Sequence, residues 1–137
     1  TGLVDGRDVA TDGTKLDTIE TGAEVNPILN KGLTLEEPTV GDDITMFRTD
    51  VAITIQEVIA FSTGTSPDTT YDIKYSTDRS AAGTSLVSSE QTTSVSTGDV
   101  ATITNVNIPA NSIVWFEVSA ASGTSVYLSL DIRYTEV

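Results

Sequence analysis

The chain is 137 residues long, carries 7 Lys and Arg against 20 Asp and Glu for a formal net charge of -13, and has neither cysteine nor histidine. That charge repels a phosphate backbone and an anionic bilayer, and the missing thiols and imidazoles remove disulfides, thiolate nucleophiles, imidazole bases and most transition-metal sites. The length suits one compact domain of about 100 to 150 residues with an appendage, and no apolar run approaches the roughly 18 residues of a membrane span.

In chain order, the first element is a short helix. Asp12 is an N-cap, Gly13 and Thr14 open the first turn, Lys15 to Glu20 continue it, and Gly22 stands where a left-handed stop belongs. Val9, Leu16, Ile19 and Ala23 form one narrow apolar stripe with Asp8, Lys15, Asp17 and Glu20 around it. A helix under about 12 residues is marginal in water, so this stripe needs a partner. A symmetry copy of the same seam is the simplest one, which makes Val9, Leu16, Ile19 and Ala23 the expected assembly residues of a parallel homotrimer. Docking on the chain's own domain is the alternative. Thr1 and its neighbours carry no signal-peptide pattern, and the absence of an initiator Met points to trimming or to a piece of a longer chain.

These residues carry a resemblance. Asp5, Gly6, Arg7, Asp8 and Val9, then Asp12, Gly13, Lys15, Leu16, Asp17, Ile19, Glu20, Gly22 and Ala23, match D-G-R-D-V, a short gap, and D-G-x-K-L-D-x-I-E-x-G-A. That pattern is similar to a segment recurring in tail-fibre and other structural proteins of tailed bacteriophages. The resemblance covers about a sixth of the chain. It implies a virion protein, with the segment as a shaft-to-head joint in a homotrimer that faces other virion proteins; it names neither host nor receptor.

Pro27 to Asp43 reads as a linker, broken by Gly32, Glu36 and Glu37, Pro38 and Gly41, although Ile28, Leu29, Leu33 and Leu35 are apolar enough to pack under a head or against a neighbouring chain. From Ile44 the period becomes two. Val51, Ile53 and Ile55 share a face, and the alternation breaks near Glu57, as at a β-bulge or a strand switching sheets. "STGTSPD" reads as a turn, Tyr71, Ile73 and Tyr75 as a half-buried strand, and "TDRSAAG" as another turn. Leu86 and Val87 mark a short strand, the stretch after it an edge or loop, and Val100 to Ile108 a further strand stopped by Pro109. Ile113 to Val118 is apolar on both faces and so central or covered, and Val126 to Tyr134 alternates, with Val126, Leu128, Leu130, Ile132 and Tyr134 inside. Seven or eight such strands predict an all-β fold: an antiparallel, jelly-roll-like β-sandwich head over residues 44–137, preceded by a stem segment over 1–43 with the short helix and linker. The expected core is Val51, Ile53, Ile55, Phe61, Tyr71, Ile73, Tyr75, Phe116, Val118, Leu128, Leu130 and Ile132.

The side chains offer little chemistry. A glycosidase needs two carboxylates about 5 to 9.5 Å apart with one raised by burial, and only Glu117, between Phe116 and Val118, sits in an apolar setting. The simpler reading of Glu117 is a satisfied or interface carboxylate beside Trp115. Acid clusters such as Asp42 and Asp43, or Asp5, Asp8 and Asp12, suggest calcium, but their spacing lacks the EF-hand pattern. The sequence therefore predicts no enzyme, metal or cofactor. The expected function is a non-enzymatic, fibre-type phage head for host attachment, with the N-terminal segment toward the particle and a glycan or receptor at the head. The alternative is a capsid or tail decoration or joint protein that binds only virion neighbours; a free carbohydrate-binding module is weaker. Candidate receptor residues are Tyr127, Asp131 and Arg133 on one strand face, although packing of that face on a trimer neighbour is the slightly favoured reading, and Asp78 and Arg79 in a loop, where a pair between the two is expected.

Overall fold

The computed structural model describes residues 3–4, 7–8 and 27–137. The helix expected at Lys15 to Glu20 and the stripe of Val9, Leu16, Ile19 and Ala23 lie outside the described residues. The described residues form ten strands, all paired antiparallel: β1 (Leu3–Val4), β2 (Arg7–Asp8), β3 (Leu29–Glu36), β4 (Asp43–Arg48), β5 (Ile53–Ser76), β6 (Thr84–Ser85), β7 (Gln91–Thr93), β8 (Asp99–Val100), β9 (Asn107–Ile108) and β10 (Ile113–Glu136). β1 pairs with β2, and the other eight form one sheet.

The axis of that sheet is the pair β5–β10, two strands of 24 residues each running antiparallel along their whole length. On the far edge of β10, β4 pairs with residues 113–117 and β3 with residues 127–134. On the far edge of β5, the short strands β9, β8, β7 and β6 follow in turn. Val114 and Tyr134 are both on β10, and an extended strand of twenty residues would hold them about 66 Å apart. Yet Phe47, opposite Val114, stacks on Tyr134 with ring centroids 6.2 Å apart. The ribbon is therefore doubled back on itself, and register shifts at Val118/Ala120, Ser122/Thr124 and Ser125/Tyr127 make the bend. One half is β4–β10–β5–β6/β7 and the other β3–β10–β5–β8/β9. Ile53, Ile55, Val58, Ala60, Leu128, Leu130 and Ile132 of one half meet Tyr71, Ile73, Val114, Phe116 and Val118 of the other in a single core. This is the layering of a β-sandwich.

Several expectations are corrected. The stretch read as a linker contains β3, whose Leu29, Leu33 and Leu35 pack on the core while Asn30, Gly32, Thr34 and Glu36 face out, so the sheet begins at Leu29 rather than Ile44. "STGTSPD" is not a turn between strands but the bend of β5, kept in the ladder by backbone pairing to β10. Val100 to Ile108 is not one strand: it runs from the end of β8 to β9, each of two residues, with Ile103 between them bridged to Val87. The break near Glu57 is a bulge: Arg133 pairs with Glu57 and Tyr134 with Ile55, leaving Gln56 unmatched. It moves the inward positions to Val58, Ala60 and Ser62, which turns Phe61 to the half-buried outer face. Val51 and Val126, expected inside, are 42% and 41% exposed because Val51 precedes β5 and Val126 is the unmatched residue of the register shift between Ser125 and Tyr127, and Tyr75 is only half-buried.

Candidate functional site

The outer face of the β4–β10–β5 half is built around Trp115. Alternation puts Val114, Phe116 and Val118 into the core, so Trp115 and Glu117 project to the other side, yet Trp115 has no exposed surface. The loop over 77–83 covers it. A Cβ on Gly83 would stand 2.4 Å from Cη2 of the indole, so only glycine lets the loop backbone lie on the ring. The Arg79 guanidinium stacks over the indole 4.4 Å from its centroid, while Nη2 donates to the Asp43 carboxylate and Nε to Thr45 Oγ1 at 3.2 Å. Trp115 Nε1 donates to Glu117 Oε1 at 2.9 Å, and Lys74 Nζ donates to Glu117 Oε2 at 2.6 Å. Three segments distant in sequence, β4, the end of β5 with the loop after it, and β10, are thus tied by one aromatic ring and two ion pairs.

Burial pushes the Glu117 carboxyl up, but the hydrogen bonds from Lys74 and Trp115, with the charges of Lys74 and Arg79, outweigh it and hold the group below its ordinary value of 4.5. Lys74 is held above its ordinary range chiefly by its hydrogen bond to Glu117. A carboxylate depressed in the folded state contributes stability that is present above its unfolded value and lost as pH falls through the folded one. Acid titration from about pH 5 downward should therefore weaken the fold, and Glu117→Gln should flatten that loss while lowering stability at neutral pH. Urea midpoints measured across the pH range check this; an unchanged acid slope in the variant would remove Glu117 from the account.

The structure separates the candidate receptor residues into two groups. Asp78 and Arg79 belong to the Trp115 cover, and the expected Asp78–Arg79 pair does not form. Arg79 reaches Asp43 instead, while Asp78 accepts from Ser80 N at 2.9 Å and Ser80 Oγ at 2.7 Å, bonds that hold its carboxyl below the usual range. Tyr127, Asp131 and Arg133 do share a face, the outer face of the β3–β10–β5 half. Tyr127 is 42% exposed, Asp131 and Arg133 are half-buried, and Arg133 Nη1 donates to Glu57 Oε2 at 3.0 Å. Sequence reasoning missed the Arg79–Asp43 and Lys74–Glu117 pairs; the apolar setting of Glu117 was the one signal available.

An acidic depression beside the Trp115 box is lined by Asp42, Asp43, Asp72, Glu90 and Glu117. Asp42 Oδ2 accepts from Thr39 N at 2.7 Å, Asp43 is held by Arg79, Asp72 by Ser85 Oγ at 2.6 Å and Glu117 by Lys74. Among the described residues no three acidic groups are placed to hold a metal ion. The carboxylates here brace strands.

With that geometry, the fold can be compared with known ones. No protein-family model matches the sequence, and no curated protein sequence does. A chain of the capsid of Ralstonia phage GP4 is similar in structure, with a TM-score of 0.60 at 17% identity over 84% of this chain and 86% of that one. A chain of the cyanophage Pam1 capsid asymmetric unit matches with a TM-score of 0.49 at 15% identity over 82% and 86%. A chain of infectious bursal disease virus, Gt strain, matches at 0.40 and 13% identity, over 82% of this chain but 32% of that one. The first likeness establishes a shared fold; the other two are too loose to add to it.

Proposed function

We propose that this protein is a non-enzymatic structural component of a bacteriophage virion and sits on the particle's shell as a decoration protein. The observation that carries this reading is the nearly end-to-end match with a chain of the Ralstonia phage GP4 capsid, 84% of this chain against 86% of that one. A jelly-roll-like head that matches most of that chain fits a unit used in the same way. The side chains agree with a bracing role: Arg79, Lys74 and Arg133 are each committed to a carboxylate of their own chain. The N-terminal segment, through Val9, Leu16, Ile19 and Ala23, joins three copies and faces the particle.

Host attachment by a fibre-type head is the second reading, favoured by the resemblance of Asp5 to Ala23 to tail-fibre segments and by the exposed ring of Tyr127. Against it, Asp78 and Arg79 lie on one outer face and Tyr127, Asp131 and Arg133 on the other, so the five do not make one patch. Copy number separates the two readings. Quantitative gels or mass spectrometry of purified particles should give a ratio to the major shell protein set by the capsid lattice, with a trimer by light scattering for the free protein. A handful of copies per particle would favour the fibre.

A further inference from the structure

At the end of the sandwich opposite the bend, β3 begins beside Tyr134, β10 finishes at Glu136, and β4 passes into β5 through residues 49–52. A cavity of about 150 Å³ opens between the two layers at this base, and its lining includes Lys31, Phe47, Arg48, Asp50, Tyr134 and Glu136. Lys31 is out of keeping with its row. It stands opposite Ile132, which has no exposed surface, in the inward row of β3 between Leu29 and Leu33. Its ammonium takes part in no ion pair among the described residues, whereas Arg48, Lys74, Arg79 and Arg133 each do. Across the cavity the Asp50 side chain is 90% exposed, although Arg48 Nη1 reaches it at 3.3 Å. Two apolar side chains at this end are exposed as well, Ile28 at 54% and Val51 at 42%.

The charge of the base differs from that of the whole chain. Its lining holds two cations and two carboxylates, where the chain has 7 against 20. Copies of so acidic a chain oppose like charges when they meet through an average part of their surface, and do not when they meet here. We propose that the base is the surface through which copies of this chain contact one another, with Lys31 of one copy set against Asp50 of the next and Ile28 and Val51 packed between them. The inference rests on the homotrimer of the proposed function and deepens it. The chain enters the head at this same end, just before Leu29, so a stem that joins three copies brings their bases together. Lys31 and Asp50 lie on different segments, which makes the contact heterologous, and a heterologous contact closes as a ring.

Light scattering of the full chain over a dilution series reads the assembly. Lys31→Glu and Asp50→Lys should each raise the concentration at which the trimer dissociates by about tenfold or more, and the two changes together should restore it. Because the chain has no cysteine, co-expressed Lys31→Cys and Asp50→Cys chains of distinguishable mass give a second readout: oxidation should link unlike chains in preference to like ones. Trimers that tolerate both charge changes and give no link between unlike chains would overturn the contact, leaving Lys31 as an inward charge that guards the edge of β3 and the stem as the whole of the joint. A double exchange no better than the single ones would also overturn the Lys31–Asp50 pairing. An unmodified chain that is monomeric at micromolar concentration would remove the trimer, and this contact with it.

Discussion

Trp115→Ala is expected to destabilise the head by about 3–5 kcal/mol, the range for truncating a fully buried aromatic core side chain. The ring has no exposed surface and holds the 77–83 loop, the Arg79 guanidinium and one oxygen of Glu117 together. Its removal leaves a cavity under the loop, and Arg79 keeps its hydrogen bond to Thr45 and a partly exposed ion pair with Asp43, the pair worth roughly 0–1 kcal/mol. For a head of this size the loss should lower the melting temperature by more than about 10 °C. Tyr127→Ala, on an exposed ring, should change it little. Calorimetry of the two variants checks the contrast; equal, small shifts would mean that the Trp115 cover is not part of the cooperative fold.

The second large effect is expected at the bend of the ribbon. Gly123 has φ of +70°, and a Cβ there would lie 1.9 Å from the Ser66 carbonyl oxygen and 3.0 Å from that of Thr65. Those are backbone atoms of the opposed strand, so relief requires moving the ladder itself. Left-handed strain alone costs about 1–2 kcal/mol for a residue with a Cβ, and the clash adds to it, so Gly123→Ala should cost about 3 kcal/mol or more. Gly41→Ala is the matched comparison, with φ of +95° and nothing within 4 Å of the added carbon. It should cost only the strain. Urea midpoints of the two variants measure the difference, and equal losses would place no constraint on how the ribbon folds back.

The half-buried strands were legible in the sequence because side-chain period alone encodes them. Leu128, Leu130 and Ile132, Tyr71 and Ile73, and Phe116 and Val118 fall inside where their alternation puts them. The bulge at Gln56 could be read because it inverts that alternation. The bend of β5 could not: Gly64 and Ser66 look like turn residues, and what keeps them in the ladder is backbone pairing with β10, which leaves no side-chain signature. β3 was hidden for a related reason, since Gly32 and the acid pair interrupt an otherwise regular outward row. Of the candidate site, the neighbourhood of Trp115 and Glu117 and the shared face of Tyr127, Asp131 and Arg133 were legible from periodicity. The partners were not, because Arg79–Asp43 and Lys74–Glu117 depend on long-range register.

Both outer faces carry a cover from the chain's own loops: Gly83 lies on the Trp115 ring, and Gly98 lies on Ile59 and Phe61. Host recognition would draw on exposed loops, and the loop carrying Arg79 is spent on covering Trp115.

The most direct measurement is a density map of the intact particle at a resolution that traces β-strands. The decoration reading predicts heads of the β3–β10–β5 type repeated on the outside of the capsid lattice. Heads found only at the distal end of a fibre would contradict it.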